Sequence, residues 1–427
     1  MMTEQEISDL RALMAYEKQR TAPPETFPHL PDLPGGRYID ERFEALERDH
    51  LWRKSWLLAG HRDELPQPGC FRLWETAGQP VVLMHARSGK INAFYNTCSH
   101  RGAPVVTAES GRRPRLTCKY HGWVYDDEGQ LVSIRDAEDF AGLDFSCRAL
   151  RSIRCETYGK FIFVNFSEHG PSLAEWLGNV GLELEEFQLG EARLVDRYVW
   201  DLDCNWKIAM EANMEVYHVP NIHPSTVALG LDHRSNVNTL YPQGHGRMVA
   251  PGWEDRDQAS YRTGRTADGR PEFDSVGEIS RTCTQSYNIF PNLVSPPGAT
   301  GTFVLAFWPN GLTRSKMEVF WVGPDWGEGP RPAYWDDTIA FLNSVLEEDT
   351  QFGSWIQKSQ MSYGFKGVPL SYQESRIYHW HQSVDRLIGP EKIPQDLSVP
   401  AAIGDDWIHP NDPRLPLARA VVAEPAE

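Results

Sequence analysis

The sequence predicts an α+β protein in which a small β-rich domain precedes a larger domain of helices and strands. Between residues 56 and 166, short apolar segments are divided by turn signals such as Ser88-Gly89. From residue 193 onward, expected strands are combined with a helix beginning near Asn205 and a long helix over 334–361. The chain has 427 residues, which is long enough for two or three domains.

The expected elements divide the chain into four parts: an N-terminal helical segment at 1–55, the β domain at 56–166, a connection at 167–192 and a second domain at 193–427. Helices are predicted over 1–22 and 38–55. The clearest strands are predicted at Pro80–His85, Ile91–Tyr95, Arg115–Cys118, Phe161–Phe166, Leu194–Leu202, Gln285–Val294, Gly301–Trp308 and Lys316–Val322. The polar stretch 225–280, rich in Gly and Arg and including Asp268-Gly269, predicts a functional lid or a disordered segment.

Composition excludes several classes of partner. The chain has 42 basic and 59 acidic residues, a net charge of −17, which argues against nucleic acid or an anionic membrane as its partner. We expect no secretory signal at the N-terminus and no transmembrane helix. Seven thinly spread cysteines fit a reducing compartment better than a disulfide scaffold, so we expect a cytoplasmic protein.

One short stretch carries four residues of metal-binding type. It contains Cys98-x-His100 and, seventeen residues later, Cys118-x-x-His121. Thiolates are soft ligands and imidazoles borderline ones, so this set selects iron–sulfur or zinc over magnesium or calcium. In a Rieske [2Fe–2S] centre two histidines replace two cysteines on one iron, and this is the Rieske spacing. Zinc is the alternative, but structural zinc sites usually show Cys-x₂-Cys or His-x₃₋₅-His pairs, which neither half contains.

A second group of candidate ligands lies in residues 205–224. Glu211, Glu215 and His218 are spaced i, i+4 and i+7, so a continuous helix places them on one face. Pro220 ends or distorts such a helix near the preceding residue. His218 is therefore expected at the helix end and His223 on the following turn, close enough to share a metal. Taken alone, two histidines five residues apart are more often structural.

A third ligand is predicted from the helix over 334–361. Asp349 falls in the middle of an apolar stripe formed by Leu342, Val345, Leu346, Phe352 and Ile356. A carboxylate that faces the core is costly unless it is paired or bound to a metal. A buried salt bridge or a misplaced helix boundary are the alternatives. Two imidazoles and one carboxylate with open positions form the facial triad of non-haem Fe(II) oxygenases.

These motifs together make the chain resemble the Rieske non-haem iron oxygenases, specifically their catalytic α subunit. The resemblance covers nearly the full length and rests on motifs in a fixed order: the Cys/His box, Asn205-Trp206-Lys207, Glu215-x-x-His218-x₄-His223-Pro224, and Glu348-Asp349. It implies an N-terminal all-β Rieske [2Fe–2S] domain. It also implies a C-terminal helix-grip, START-like domain whose antiparallel sheet wraps a mononuclear iron.

The resemblance also implies cofactors and partners. Cys98, His100, Cys118 and His121 would bind the cluster, and His218, His223 and Asp349 would bind Fe(II). Dioxygen would be the co-substrate, with NAD(P)H supplying electrons through a separate reductase or ferredoxin. A head-to-tail homotrimer (α3) is implied, in which the cluster of one subunit serves the iron of its neighbour; an added β subunit stays open. Glu215 matches the carboxylate that hydrogen-bonds a histidine of each centre, which makes it the candidate catalytic residue.

The identity of this carboxylate bears on the reaction. Glutamate at position 215 resembles members that act on quaternary amines and many monooxygenases, whereas the ring dioxygenases carry aspartate. We therefore expect hydroxylation or oxidative demethylation of a small organic substrate, with cis-dihydroxylation of an aromatic ring, in aromatic hydrocarbon catabolism, as the alternative. A Rieske electron carrier or a degenerate binding protein is the alternative of another class, and the presence of all three iron ligands counts against it.

One feature is independent of the resemblance. Between Arg101 and His121 the chain carries five cations against the single acid Glu109: Arg101, Arg112, Arg113, Arg115 and Lys119. An ordinary solvated face would explain such a cluster. In a chain of net charge −17 it also predicts a docking patch that steers an acidic electron donor to the cluster.

Overall fold

The structure is a computed structural model that describes residues 2–252 and 270–423. The chain forms two compact units, one from Trp52 to Trp176 and one that joins Met1–Leu51 to Leu177–Glu427. The N-terminal 51 residues therefore belong to the second unit, and the unit boundary falls inside the stretch expected as a connection. The α+β class predicted from the sequence is confirmed, because both units contain antiparallel sheets and the second adds long helices.

The unit at Trp52–Trp176, here the cluster unit, is built from two antiparallel sheets. Among the described residues, the larger sheet has seven strands in the order Leu57–His61, Phe161–Asn165, Ser152–Tyr158, Ile91–Tyr95, Val81–His85, Cys70–Trp74 and Ser110–Arg112. The smaller sheet pairs Leu116–Thr117, Val124–Tyr125 and Leu131–Ser133. Short helical turns lie at Trp52–Lys54, Arg62–Glu64, Ala137–Phe140 and Phe145–Arg148.

The strands named for this unit all form, and six further strands lie outside that prediction: Leu57–His61, Cys70–Trp74, Ser110–Arg112, Val124–Tyr125, Leu131–Ser133 and Ser152–Tyr158. In Ser152–Tyr158 only Ile153 is buried, and the face opposite Arg154 and Glu156 carries Ile153, Cys155 and Thr157, which is a weak apolar alternation. Leu57–His61 is buried at every position and Cys70–Trp74 is short, and neither length nor periodicity separates such segments from a helix or a loop.

The second unit, here the catalytic unit, is organised around one antiparallel sheet. Its seven described strands follow the order Arg193–Leu202, Ser315–Gly323, Thr302–Pro309, Leu293–Ser295, Cys283–Ile289, Gly246–Pro251 and Val237–Leu240. The long helix Tyr334–Gln360 packs across this sheet. Its Asn343 accepts a 2.7 Å hydrogen bond from the hydroxyl of Tyr198, and the ring of Trp335 lies so close to Gly301 and Gly323 that a Cβ at either glycine would clash with it.

Other helices of the catalytic unit cover the sheet and its edges. They span Glu4–Gln19, Gly36–Ile39, Glu41–Leu46, Trp206–Ala212, Val219–Ile222, Glu278–Thr282, Ser375–Ile388 and Leu415–Ala423. A further helix, Leu173–Leu184, begins in the cluster unit and belongs to the catalytic unit from Leu177 onward. Glu4–Gln19 begins at a capping box in which Thr3 and Glu6 bond each other's backbone, which satisfies N–H groups that a helix start leaves open. Leu33–Pro34 pairs with Gly367–Val368 in a small separate ladder.

Two predictions about this region were wrong. The expected helix over 38–55 is broken into Gly36–Ile39, Glu41–Leu46, a π-helical turn at Glu47–Leu51 and a short turn at Trp52–Lys54, because Asp40 leaves helical geometry and caps the next segment. The expected lid at 225–280 contains strands at Val237–Leu240 and Gly246–Pro251, whose pairing supplies the hydrogen bonds that a loop would lack. Asp268-Gly269 lies outside the described residues.

No helix in the described part of the chain is both long enough and apolar enough to cross a membrane.

Candidate functional site

The four predicted cluster residues lie on two loops of matching geometry. In each loop the cysteine N–H donates to the carbonyl five residues later, and the cysteine carbonyl accepts from a glycine N–H four residues later, Gly102 after Cys98 and Gly122 after Cys118. Both glycines have φ near +75°, at 74° and 75°, where a side chain is disfavoured. The two loops therefore share one backbone turn, although the histidine follows its cysteine by two residues in the first loop and by three in the second.

The thiols and imidazoles of these loops occupy different depths. Cys98 and Cys118 are buried, whereas His100 and His121 are partly exposed and bring their Nδ1 atoms to 3.0 Å of each other. Trp123 stacks on the ring of His100, with centroids 4.9 Å apart and an interplanar angle of 5°. Two buried sulfur donors and two outward nitrogen donors suit a cluster with a thiolate-bound iron inside and a histidine-bound iron toward the surface.

In the catalytic unit, the predicted iron ligands converge. One ligand atom from each of His218, His223 and Asp349 lies within 4.8 Å of the other two. The Nε2 atoms face one carboxylate oxygen, Asp349 Oδ1, at 3.6 Å from His218 and 3.0 Å from His223. Two neutral imidazole nitrogens and one carboxylate oxygen on one side of a metal fit Fe(II) with open positions.

Each imidazole is held at its other nitrogen by a glutamate. His218 Nδ1–H donates to Glu215 Oε1, and Glu215 Oε2 accepts from the backbone N–H groups of Tyr217 and His218, the latter at 3.1 Å. His223 Nδ1–H donates to Glu348 Oε2 at 2.6 Å. Such outer carboxylates fix the tautomer and leave Nε2 free for the metal. Of the two, only Glu215 was predicted.

The backbone that carries these ligands differs from the prediction. The helix that begins at Trp206 ends at Ala212, before Glu215, so Glu211, Glu215 and His218 do not share a continuous helical face. His218 instead caps a second short helix, Val219–Ile222, and His223 ends it. Pro220 lies in the first turn of that helix, where a missing N–H costs nothing, and so begins a helix instead of ending one.

The Asn205-Trp206-Lys207 motif anchors the first of these helices. Asn205 accepts from the N–H of Lys207 at 3.0 Å and donates to the carbonyl of Tyr38 at 3.1 Å. Lys207 Nζ lies 2.7 Å from Glu47 Oε1 in a fully buried ion pair, and the indole of Trp206 also donates to Glu47. The motif therefore fixes the ligand-bearing segment to the N-terminal residues of the same unit.

Family models account for both units. A Rieske [2Fe-2S] domain model matches residues 55–149, and a model of the ring hydroxylating alpha subunit (catalytic domain) matches residues 189–390. The two occur in the order that the motifs predicted. The chain belongs to the Rieske oxygenase alpha-subunit family. Its matched domains are those that hold a Rieske cluster and a mononuclear iron.

Characterised relatives of this alpha-subunit chain include two kinds of oxygenase. It is 30% identical over 196 residues to the glycine betaine monooxygenase oxygenase subunit of Pseudomonas aeruginosa, covering 46% of each chain. It is 27% identical over 359 residues to the biphenyl 2,3-dioxygenase subunit alpha of Rhodococcus jostii, covering 77% of each. The first match thus spans about half the length of that relative.

The fold is shared with solved members of the family. The quaternary ammonium Rieske monooxygenase CntA, in complex with L-carnitine, matches with a TM-score of 0.68 and 20% identity, covering 86% of this chain and all of that one (100%). At this identity the match establishes the fold alone.

A cavity of about 450 Å³ opens onto the iron ligands from the sheet side. His218, His223 and Asp349 form one wall. Strand residues form much of the rest, including Phe303 and Trp321, whose rings lie 4.9 Å apart. The cavity is of the size that small organic ligands occupy, and it is mostly apolar with a few polar groups, the usual character of a substrate site.

The long helix shows why Glu348 escaped prediction. Leu342, Val345 and Leu346 are buried as expected, but Phe352 and Ile356 are each 40% exposed, so the apolar stripe ends near Asp349. Asp349 faces inward as predicted, with its side chain 11% exposed. Glu348, expected to point elsewhere, reaches His223 across 125 positions of sequence, and it also accepts from Thr226 at 2.9 Å. In the sequence, only its position next to Asp349 pointed to a role for Glu348 at this site.

Replacing Glu348 by glutamine is expected to weaken iron binding roughly 10- to 100-fold. The amide keeps the size of the side chain but removes the charge that holds His223 Nδ1–H. Iron affinity is measured by competition with a chelator, with the [2Fe–2S] absorbance as an internal reference. Glu347→Gln on the exposed side of the same helix is the control. Equal affinities in the two variants would contradict the assigned role.

Proposed function

We propose that this chain is the oxygenase component of a Rieske system that hydroxylates, or oxidatively demethylates, a small organic substrate. Dioxygen is the co-substrate, and NAD(P)H supplies electrons through a separate reductase or ferredoxin. The observation that carries the proposal is the convergence of His218, His223 and Asp349 at one wall of a mostly apolar cavity, in a chain that also has the two Cys/His loops. A cytoplasmic location and a homotrimer, with or without a β subunit, belong to the same proposal.

The cofactors and the residues have separate tasks. When bound, the cluster passes single electrons, and Fe(II) activates dioxygen for attack on the substrate. Glu215 and Glu348 keep the Nε2 atoms of the two histidines free of protons and directed at the metal position. Asp349 supplies the anionic donor. The apolar strand residues exclude bulk water from the site, which favours productive chemistry over side reactions.

Glu215 has a further part in this proposal. By resemblance to the family, it hydrogen-bonds a cluster histidine of a neighbouring subunit as well as His218, so that electrons cross between subunits. Support comes from its geometry: Oε1 is taken by His218 Nδ1–H, and Oε2 by two backbone N–H groups, so the carboxylate is fixed in place. A rigid hydrogen-bonded contact is what an electron path between proteins needs.

For the substrate we favour a small quaternary amine. Glutamate at position 215 matches the amine-directed pattern, and Trp321 and Phe303 offer aromatic faces on the cavity wall. A cation over such a face is stabilised by about 0.5–2 kcal/mol. The apolar lining also suits an aromatic ring, so cis-dihydroxylation is the second candidate, supported by the likeness to the biphenyl dioxygenase subunit.

A product assay with two substrate panels tests both candidates. One panel holds betaine, choline and carnitine-like amines, and the other holds aromatic hydrocarbons and aromatic carboxylates. The iron-loaded protein is supplied with a reductase, NADH and dioxygen, and products are identified by mass spectrometry. Demethylated or hydroxylated amine supports the first candidate, and a cis-dihydrodiol supports the second. An intact enzyme with full iron content that oxidises neither panel contradicts the proposed substrate class.

The electron donor is proposed to dock on the cations that precede His121. All five are exposed, and among the described residues none of them forms an ion pair: Arg101, Arg112, Arg113, Arg115 and Lys119. The guanidinium of Arg101 lies 5.7 Å from the ring of Tyr120, which packs 3.8 Å from the ring of His121. Unpaired positive charge therefore extends up to a cluster ligand, where an acidic ferredoxin would be steered.

Charge reversal at Arg112 and Arg113 is expected to slow donor-driven turnover. The double variant Arg112→Glu, Arg113→Glu should raise the KM for an acidic ferredoxin about tenfold or more at low salt, because steering contributes factors of roughly 10 to 1,000 to association. The difference should shrink as salt is added. Arg151→Glu, which alters an exposed arginine of the same unit paired with Glu168, is the control. Unchanged turnover in the double variant contradicts the docking patch.

A further inference from the structure

A second cavity also reaches two of the candidate iron ligands and is lined by residues of the short helix Trp206–Ala212. It has a volume of about 260 Å³ and a mostly apolar wall. His218 and Asp349 contribute to it, as they do to the substrate cavity. Its wall also carries three glutamates: Glu211, Glu215 and Glu374. Carboxyl groups on an apolar wall beside a redox site need a physical explanation, because each is costly to ionise there.

Glu211 is held by two buried partners. The hydroxyl of Tyr38 lies 2.8 Å from Glu211 Oε2, and His381 Nε2 lies 2.9 Å from Glu211 Oε1. The side chains of Tyr38 and His381 are closed off from solvent, while Glu211 itself keeps 12% of its side chain exposed on the cavity wall. Tyr38 and His381 therefore hold the Glu211 carboxyl group on its buried side, and its exposed part faces the cavity.

The tautomer of His381 is set by Arg37. The guanidinium Nε–H of Arg37 donates to His381 Nδ1 at 2.9 Å, and arginine has no acceptor. His381 Nδ1 is therefore unprotonated, and its proton lies on Nε2, which donates to Glu211. Burial and the nearby cations of Arg37 and Lys207 lower the pKa of His381 well below its usual range, so the ring stays neutral.

The nearby cations are already paired with other carboxylates. Lys207 Nζ lies 2.7 Å from Glu47, and Arg37 Nη1 lies 2.7 Å from Asp385. Burial is the main cause that raises the pKa of Glu211, to about 8, and the negative charge of Glu374 adds to it. The hydrogen bond from Tyr38 and the charges of Lys207 and Arg37 act in the opposite direction.

The partners of Glu211 differ from those of Glu215 in what they can accept. Glu215 accepts from N–H groups, and an N–H cannot accept a proton in return. The hydroxyl of Tyr38 can donate to a carboxylate or accept from a carboxylic acid by rotating. Glu211 can thus gain or lose a proton without losing a hydrogen bond.

We propose that Glu211 is a carboxylic acid at neutral pH and supplies a proton from the wall of this cavity, with Tyr38 and His381 as positioning residues. The inference rests on the proposed oxygenase function. Hydroxylation of a C–H bond consumes one dioxygen, two electrons from the donor protein and two protons, and yields the alcohol and one water. Glu211 gives one of the two protons and becomes a carboxylate that Tyr38 O–H and His381 Nε2–H both stabilise. The second proton, and the proton that restores the acid form of Glu211, come from bulk solvent.

Infrared titration of the holoenzyme tests the protonation state directly. The carbonyl stretch of a protonated carboxylic acid should be present at neutral pH, vanish through about pH 8, and be absent in Glu211→Gln. Tyr38→Phe, which removes a donor that favours the carboxylate, should move the transition to higher pH. Glu183→Gln is the control, since Glu183 is also bound by tyrosines, Tyr241 and Tyr287, but pairs with Arg247 and lines a different cavity.

Kinetics test the supply of the proton. Glu211→Gln should lower kcat roughly a hundredfold, within the range for a general acid, with KM changed less than about twofold. The wild-type rate should fall as pH rises through about 8, and the variant should lose this dependence. Glutamine resembles the neutral acid in shape, so it should fold. If it does not, the shift in Tyr38→Phe still decides the matter.

Outcomes for the two proposals are separable. If the wild type oxidises substrate but the infrared band is missing at neutral pH, or survives in Glu211→Gln, the proton-supply inference is overturned and the oxygenase proposal stands. If the band behaves as expected but no substrate of either panel is oxidised, the infrared result still supports a protonated Glu211. The absence of product then contradicts the oxygenase proposal and not the protonation state. A wild-type kcat retained in Glu211→Gln also overturns the inference.

Discussion

Replacing Asp349 by alanine is expected to abolish product formation while leaving the [2Fe–2S] cluster intact. Asp349 Oδ1 is the oxygen that both His223 Nε2 and His218 Nε2 face, so its loss removes the anionic donor of the proposed iron set. Iron chemistry supplies several kcal/mol of the rate enhancement, so turnover should fall at least about a thousandfold. The measurement is product formed per chain, with iron counted on the same sample.

Glu347→Ala is the matched control for this prediction. Glu347 lies two residues earlier on the same helix with its side chain exposed, so the variant changes the charge and the helix equally without touching the site. The Asp349→Ala protein should contain about two iron atoms per chain, both in the cluster, against about three in the control. An Asp349→Ala protein that retains the third iron and full turnover would refute the assigned ligand.

Glu215→Gln is expected to lower turnover roughly a hundredfold with both metal centres still in place. The carboxylate accepts three hydrogen bonds from N–H groups, and an amide offers one oxygen and one NH₂ in their place. The NH₂ must then face an N–H, and a shift of the proton on His218 from Nδ1 to Nε2 would block the atom directed at the metal. Loss of an outer partner of this kind costs roughly 10- to 100-fold, and a slower electron path adds to that loss.

Rapid mixing separates the two effects of Glu215→Gln. The pre-reduced variant is mixed with dioxygen and substrate, and reoxidation of the cluster is followed by its absorbance. Slow reoxidation at normal iron content supports a role in the path between centres. Glu215→Asp keeps the charge and serves as the conservative variant, with a smaller loss expected. Reoxidation of Glu215→Gln at the wild-type rate would limit Glu215 to orienting His218.

The pH dependence of stability offers a prediction for Glu211 that needs no turnover. Its pKa is raised from 4.5 to about 8 by burial, so the folded form holds this proton more tightly than the unfolded form. Its contribution to stability is therefore complete below about pH 4.5 and is lost as pH rises through about 8. The fall in Tm between about pH 5 and about pH 8.5 should be smaller in Glu211→Gln than in the wild type. An identical fall would contradict the raised pKa.

Local motifs made the two candidate centres visible in the sequence. The cluster residues lie within 24 positions, and loop geometry alone brings each Cys and His together. The histidines of the candidate iron site are likewise close in sequence. Asp349 was identified because it is an acidic residue among the apolar positions of a long predicted helix. The structure brings these three together, although on a backbone that differs from the predicted helix.

Features set by distant contacts could not be predicted. The link from Glu348 to His223 and the contacts of Glu211 with Tyr38 and His381 depend on the packing of segments more than 120 residues apart. Periodicity marks which face of an element is buried, but it does not identify the partner across the interface.

A single-turnover experiment tests the central claim that two iron centres in this chain cooperate to oxygenate a substrate. The loaded protein is reduced without oxygen, freed of donor, and mixed with isotopically labelled dioxygen and the best substrate of the two panels. The account predicts labelled hydroxylated or demethylated product, formed as the cluster is reoxidised, from the wild type and none from Asp349→Ala. Reoxidation of the cluster at the same rate in both proteins, with no labelled product from either, would contradict it.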